Sequence, residues 1–443
     1  LGCILSNCHN FAASSFMVLK RWLALWRLLA AAEIHGVMES DDECRAEDCS
    51  LQALQRRGLA KQGPNPDIEL GSDVDTDADD LQSQFGCYDG SASKYSLNWE
   101  SSGKTFFDDW TFVTEDPTHG EVNYLSREAA ISEGLIEAFE DHAIIRVGGL
   151  QNGKRDSVRI QSNKAWDPTK SFLVTMKYRH VPYGAGVWPA FWTMSSDHVW
   201  PTGGELDIAE FANDQPNLIT LHVRGECAMN KEKLRLCTPA SYTWYDTVST
   251  SCDTDYGQQR QGCKPPQKRF VGEIFNMYPG TFAAEWNNNT IKVWHFPSDN
   301  EPADLNSDDP NPASWDPERL LTWFPFEPES CKFAFSPQEL VINTELCGDY
   351  AGATFETTPL SYATGYRTMY GSCAGGIDCC RKWIQDSKAT GFLKDYAVWD
   401  IDYIKVFTLH GDKDTPQASG TFLRDGKALH LEELSTSENL REK

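Results

Sequence analysis

The chain has 443 residues, of which 40% are hydrophobic, and a formal net charge of −25. This length suits two average domains or one large β-rich domain with extensions. The negative charge argues against nucleic acid, whose phosphates attract basic surfaces, and it disfavours anionic membranes and acidic polysaccharides as partners. A neutral partner is compatible with it.

Residues 17–32 have the layout of a secretory signal peptide. The stretch starts with Lys20 and Arg21, continues with apolar residues and ends in three alanines. Arg27 interrupts the apolar run, so an amphipathic helix is the alternative, and the run is short for a membrane span. We therefore expect a secreted protein without a stable membrane partner. Because the first residue is Leu1 and not Met, we expect a fragment or a sequence that begins upstream of the true start.

Residues 39–84 are polar, acidic and poor in aromatic side chains, which is typical of a solvated linker or pro-segment. Within them, residues 73–80 read D-V-D-T-D-A-D-D and superficially match a calcium loop. The match fails because Ala78 stands where the loop needs Gly, and Gln84 stands where it needs a bidentate Glu. We therefore assign residues 1–86 to a signal-like segment and an acidic disordered linker or pro-segment, and we expect no metal site.

From Cys87 onward, short runs of alternating apolar residues are separated by clusters of Gly, Pro, Asn and Asp. A-I-I-R-V at 143–147 and N-L-I-T-L-H-V at 217–223 are examples. Many short strands at this spacing predict an all-β fold, an antiparallel β-sandwich. We place this domain at residues 87–409 and a flexible acidic tail at residues 410–443.

Residues 203–210 read G-G-E-L-D-I-A-E, with three carboxylates in six positions. On a strand, Glu205 and Asp207 share one face, whereas Glu210 should point the other way. One additional residue in the strand, a β-bulge, would bring all three acids to one face. On a helix, Glu205 and Glu210 would lie roughly 140° apart and could not converge. A half-solvated amphipathic strand is the alternative interpretation of the motif.

Aromatic and polar residues flank this motif. Trp188 and Trp200 precede it, and Asn213 and His222 follow it. Aromatic rings stack on the apolar faces of sugar rings, while amide and imidazole groups hydrogen-bond hydroxyls. These surroundings favour carbohydrate chemistry, with the acids as the catalytic groups of a glycoside hydrolase.

Fourteen cysteines are more than a cytosolic enzyme usually carries, and they include no C-x-x-C pair or Cys/His pattern that suggests zinc. Most of them lie in loop-like sequence in the second half of the chain. We expect several disulfides formed in an oxidising compartment, with free thiols as the alternative.

The motifs together resemble glycoside hydrolase family 16, in particular the eukaryotic laminarinase-type endo-1,3(4)-β-glucanases. The resemblance covers roughly residues 87–409. It is carried by G-V-W-P-A-F-W (186–192), W-P-T-G-G-E-L-D-I-A-E-F-A-N (200–213), T-L-H (220–222), S-V-R-I (157–160), C-G-D-Y-A-G (347–352) and W-D-I-D-Y-I-K-V-F (399–407).

The resemblance implies a jelly-roll β-sandwich of two curved antiparallel sheets with a concave substrate cleft. It implies an endo-acting, retaining β-glucanase that hydrolyses neutral β-1,3 or mixed β-1,3-1,4 glucans by double displacement. By motif position, Glu205 is the nucleophile, Glu210 the general acid/base, and Asp207 a hydrogen-bond partner of the nucleophile. No cofactor is needed, we expect a monomer, and a Cys331–Cys347 bridge is implied.

The expected sugar-binding residues are Trp188, Trp200, Asn213, His222 and Trp286. The first two are expected to be platforms on the glycone side, and Trp286 is expected to line the acceptor side. Two alternative functions stay open. A β-glucan transglycosylase would use the same catalytic glutamates, whereas a non-catalytic glucan-recognition lectin would be expected to lack them.

Overall fold

The computed structural model describes residues 87–88, 95–239, 241–242, 249–258, 260–355 and 376–409, and the backbone of 423–424 and 427–428. The predicted signal segment and acidic linker lie outside these ranges, as does most of the predicted tail. Within the described ranges, no helix has both the length and the apolar character that crossing a membrane requires.

Strands outnumber helices among the described residues. In chain order they are β1 (Tyr95–Ser102), β2 (Trp110–Phe112), β3 (Val122–Tyr124), β4 (Ile136–Ala138), β5 (Ala143–Arg146), β6 (Leu150–Gln151), β7 (Lys154–Ser157), β8 (Arg159–Trp166), β9 (Phe172–His180), β10 (Val187–Ser195), β11 (Glu205–Glu210), β12 (Leu221–His222), β13 (Thr254–Asp255), β14 (Arg260–Gln261), β15 (Gly280–Trp286), β16 (Thr290–Pro297), β17 (Leu320–Pro325), β18 (Gln338–Leu346), β19 (Val398–Leu409), β20 (Leu423–Arg424) and β21 (Lys427–Ala428). The described α-helices are α1 (Arg127–Ser132), α2 (Lys231–Cys237), α3 (Gly272–Met277), α4 (Ile377–Gln385) and α5 (Ser387–Tyr396).

Two antiparallel sheets form the body of the domain. In the described part of the chain, the larger sheet has the order β17-β16-β15-β9-β19-β5-β4, with β1 also paired to β19. The smaller sheet has the order β12-β11-β10-β18-β8-β2. Apolar side chains from both sheets, such as Val174, Ile208 and Ile342, meet in one core cluster between them. This arrangement confirms the predicted all-β sandwich.

The two sheets differ in what covers their outer faces. In β9, Val174 points into the core between the sheets, whereas its neighbour Leu173 packs in a second cluster on the outer face. Leu305 and Trp315, from the segment between β16 and β17, belong to that outer cluster. The segment between β16 and β17 therefore covers this part of the outer face of the larger sheet. The acidic motif lies on the outer face of the smaller sheet, which we call the site face.

Four disulfides lie wholly within the described residues: Cys87–Cys237, Cys227–Cys331, Cys252–Cys263 and Cys347–Cys380. The expected Cys331–Cys347 bridge is wrong. Cys331 packs with Cys227 in the core between the sheets, whereas Cys347 packs with Cys380 of α4 in a different cluster. The two expected partners are thus buried in separate parts of the domain.

Candidate active site

Strand β11 contains the bulge that the spacing of its acids predicts. In the antiparallel register with β10, Asp207 lies opposite Trp192 and Ala209 lies opposite Phe191. Ile208 is therefore an additional residue on β11, and the register shifts by one position at this point. The predicted β-bulge is confirmed.

The bulge brings all three acids to the site face. Leu206 and Ile208 are buried in the core between the sheets, while Glu205 and Glu210 are half-buried on the other side. Asp207, between them, is 6% exposed. Without the additional residue, Glu210 would point into the core, where an unpaired carboxylate is very costly.

The strand is fixed at its start by a position that only glycine fits. Gly203 has a φ of 85°, in the left-handed region. A Cβ atom there would lie 2.2 Å from the Ser336 Oγ and 2.5 Å from the Ser195 Oγ. The Gln338 side-chain amide also donates to the Gly203 carbonyl at 2.8 Å. Close packing against β10 and β18 thereby sets where Glu205 begins.

Glu210 is held by neighbours on both its side chain and its backbone. The Trp188 indole Nε1 donates to Glu210 Oε1 at 2.9 Å, and the Glu210 backbone N–H donates to Asn217 Oδ1 at 2.7 Å. Burial and the nearby charge of Asp207 raise the pKa of Glu210 to about 8, against the opposing effects of Trp188 and Lys264.

Glu205 lies in a related environment. Burial, followed by the charges of Asp207 and Glu210, raises the pKa of Glu205 well above its usual range. A hydrogen bond from Trp200 and the positive charge of Arg159 act in the opposite direction and favour the ionised form. Because both glutamates have raised pKa values, the acid cluster retains a proton near neutral pH. A retained proton lets one carboxyl act as an acid while another acts as a base or nucleophile.

Asp207 and His222 form the inner part of the cluster. His222 pairs across the strands with Glu205, and its Nε2 lies 3.6 Å from Asp207 Oδ2. Its Nδ1 lies 3.2 Å from the Thr254 hydroxyl. One ligand atom from each of Glu205, Asp207 and His222 lies within 4.8 Å of the others, a spacing that could hold a cation.

Trp188, Trp200 and His222 all lie beside the acids. Trp188 is half-buried and bonded to Glu210, and Trp200 is 39% exposed. His222 is only 8% exposed and its ring nitrogens face Asp207 and Thr254. This placement suits a residue that orients the acids more than one that reaches sugar hydroxyls.

The expected positions of Asn213 and Trp286 on the binding surface are wrong. Asn213 is 1% exposed at a turn with a φ of 57°, and its side-chain amide bonds Gly186 N, Ala351 O and Thr354 Oγ1. Its hydrogen-bonding groups therefore hold loops together. Trp286 is fully buried in the core because it lies on the inward face of β15, in the opposite sheet.

Sequence reasoning left out several residues of the site face. The Trp192 indole donates to Asn343 Oδ1 at 2.8 Å, and the Arg159 guanidinium lies over the Trp192 ring at 5.2 Å. Arg159 is 8% exposed, and its Nε has no hydrogen-bond partner among the described residues. The rings of Tyr350 and Trp188 form a T-shaped pair with centroids 5.6 Å apart. Trp192 shares the two-residue alternation of β10 with Trp188, a signal that the sequence does contain.

Comparison with known proteins gives a family match over most of the domain. Residues 110–407 match the model described as an XgeA-like, catalytic GH16 domain. The chain is 31% identical over 332 residues to an endo-1,3(4)-beta-glucanase of Arthroderma benhamiae, covering 72% of this chain and 65% of that one. The chain spans less than two thirds of the length of the curated relatives that it matches.

Two solved structures share the fold. One is an elongating GH family 16 β-1,3-glucosyltransferase, 28% identical, with a TM-score of 0.58. The other is Laminarinase 16A of Phanerochaete chrysosporium with β-glucans in its donor and acceptor sites, 30% identical, with a TM-score of 0.57. Each alignment covers 71% of this chain and 100% of the other. These matches confirm the predicted jelly-roll fold.

Proposed function

Because the chain belongs to glycoside hydrolase family 16, we propose that it is an endo-acting, retaining β-glucanase that cleaves β-1,3 or mixed β-1,3-1,4 glucans. The observation that carries the proposal is the bulge at Ile208, which turns Glu205, Asp207 and Glu210 to one face. Two carboxyls on opposite sides of a glycosidic bond are what its hydrolysis requires.

In this proposal, Glu210 donates its proton to the departing sugar oxygen while Glu205 attacks the anomeric carbon. A covalent glycosyl-enzyme forms, and Glu210 then takes a proton from the water that hydrolyses it. Trp188 orients Glu210 through its indole N–H, and Trp200 does the same for Glu205. Asp207 adds negative charge that helps Glu210 keep its proton before the reaction.

The proposed substrate is a neutral glucan. The net charge of −25 disfavours anionic polysaccharides, and the Arthroderma relative is named as an endo-1,3(4)-beta-glucanase. Trp188, Trp192 and Trp200 offer aromatic faces beside the acids. We propose that the protein works outside the cell as a monomer, and the four described disulfides support an oxidising compartment.

Incubation with laminarin, lichenan and cellulose tests the proposal. We expect short oligosaccharides from laminarin, of β-configuration at the first time points by NMR, and little release from cellulose. Products that first appear in the α-configuration would contradict retention. Strong activity on cellulose would contradict the substrate class.

A transglycosylase is the second candidate, since one solved relative is an elongating β-1,3-glucosyltransferase. Both functions use the same glycosyl-enzyme and differ in whether water or a sugar hydroxyl accepts the glycosyl group. Incubation with laminarihexaose separates them, because transfer yields products longer than the starting hexaose and hydrolysis yields only shorter ones.

The pH dependence of kcat/KM should report the proton on Glu210. We expect kcat/KM to fall as pH rises through about 8, because a deprotonated Glu210 cannot donate to the leaving group. In Asp207→Asn, loss of the neighbouring negative charge should move this basic limb to lower pH. The exposed Asp108, replaced by Asn, is the control. An unchanged basic limb in Asp207→Asn would contradict the assignment.

A further inference from the structure

A short hairpin that adjoins the edge of the smaller sheet has no role in the mechanism above. Its strands β13 and β14 pair Thr254 with Gln261, and the Cys252–Cys263 disulfide closes it. Tyr256 lies in the turn between the strands. Because the disulfide joins residues only 11 positions apart, it restricts the hairpin to few conformations.

The hairpin is attached directly to the strand that adjoins the acids. Leu221 of β12 and Cys263 exchange two backbone hydrogen bonds, each of 3.0 Å. The Thr254 hydroxyl lies 3.2 Å from His222 Nδ1, and His222 is the cross-strand neighbour of Glu205. The position of the hairpin is thus fixed relative to the catalytic cluster.

The charges at the base of the hairpin pair with one another. Arg260 lies 2.6 Å from Asp253 and 3.3 Å from Asp255, and Arg224 lies 3.2 Å from Asp255. Two arginines thereby balance two aspartates. A surface without net charge is suited to a neutral ligand rather than an ionic one.

Tyr256 extends the aromatic surface that begins at Trp200. The two rings are stacked, with centroids 5.5 Å apart and an interplanar angle of 27°. Tyr256 is 58% exposed and Trp200 is 39% exposed, so both rings keep surface open to a ligand.

We propose that Tyr256 is a substrate-binding residue that forms, together with Trp200, an aromatic platform for a sugar ring of the glucan. The inference rests on the proposed function for the class of ligand. Exposed aromatic rings bind the apolar faces of pyranoses by stacking, and a rigid support lowers the entropy cost of binding. The contribution of Tyr256 to glucan binding should therefore come from its ring and not from its hydroxyl.

Binding of laminarihexaose to the inactive Glu205→Gln protein tests this by calorimetric titration. Adding Tyr256→Ala should raise the Kd about tenfold, which corresponds to about 1.4 kcal/mol. Adding Tyr256→Phe should leave the Kd unchanged. The matched control is Phe139→Ala, which removes a 39% exposed ring stacked on His142 at 4.4 Å.

Three results would overturn the inference. The first is that Tyr256→Ala binds laminarihexaose as tightly as the Glu205→Gln parent, and the second is that Tyr256→Phe loses as much affinity as Tyr256→Ala. The third is that the Glu205→Gln protein does not bind laminarihexaose. Thermal melting of each variant should match the parent, because Tyr256 is mostly exposed. Hydrolysis of laminarin by the unmodified protein is measured separately. If hydrolysis is absent while binding still depends on Tyr256, the proposed function fails and this inference stands.

Discussion

Glu205→Gln is expected to lower kcat on laminarin by roughly 10⁴–10⁶-fold, the scale seen when a covalent nucleophile is removed. An amide cannot form the glycosyl-enzyme, so the double displacement has no first step. The glutamine oxygen can still accept the hydrogen bond from Trp200, and the shape of the half-buried side chain is kept. Initial rates of reducing-sugar release measure the loss.

A covalent label distinguishes a nucleophile from a residue that only supports one. An activated 2-deoxy-2-fluoro laminaribioside should inactivate the unmodified protein, and mass spectrometry should place the added sugar on Glu205. The control for the loss of activity in Glu205→Gln is Glu345→Gln. Glu345 is a buried carboxyl on β18 of the same sheet, and its replacement should leave most of the activity. A label on Asp207 or Glu210 would contradict the assignment.

The geometry of the acids could be predicted because it depends on local sequence. The offset of three between Asp207 and Glu210 is incompatible with a regular strand that turns both outward. Burying either acid in the core would be prohibitive, so a bulge is the simplest solution. The register of β11 against β10 contains that bulge at Ile208.

The wrong predictions, for Trp286 and for the partner of Cys331, concern features that depend on which distant segments of the chain pack together. Glu285 and Trp286 point to opposite faces of β15. The sequence does not reveal that other parts of the chain pack against both faces of this sheet. Trp286 is therefore core and not binding surface. Cys331 has a partner 104 residues earlier, a pairing set by the packing of loops rather than by spacing.

Helix α4 was missed although its sequence carries a signal. Cys379, Cys380, Trp383 and Ile384 are buried along one side, at the spacing of an amphipathic helix. Tyr256 had no such signal, because its position beside Trp200 follows from the Cys252–Cys263 bridge and the attachment of the hairpin to β12.

Glu210→Ala is expected to lower kcat on laminarin by about 10²–10⁴-fold, because a sugar leaving group needs a proton. The dinitrophenolate group of a dinitrophenyl laminaribioside departs without needing a proton. Formation of the glycosyl-enzyme from this substrate should therefore stay fast. Its breakdown should become slow, because the base that activates water is lost. A burst of dinitrophenol followed by a slow steady rate would show this in stopped-flow absorbance.

Azide then separates the roles of the two glutamates by stereochemistry. In Glu210→Ala, azide entering the vacated space attacks the glycosyl-enzyme and should give the β-glycosyl azide, the configuration of the substrate. In Glu205→Ala, azide replaces the nucleophile itself and should give the α-glycosyl azide in a single inverting step. Exchanged product configurations would mean that the two roles are reversed, since the bulge places both carboxyls on one face but does not itself decide which of them attacks.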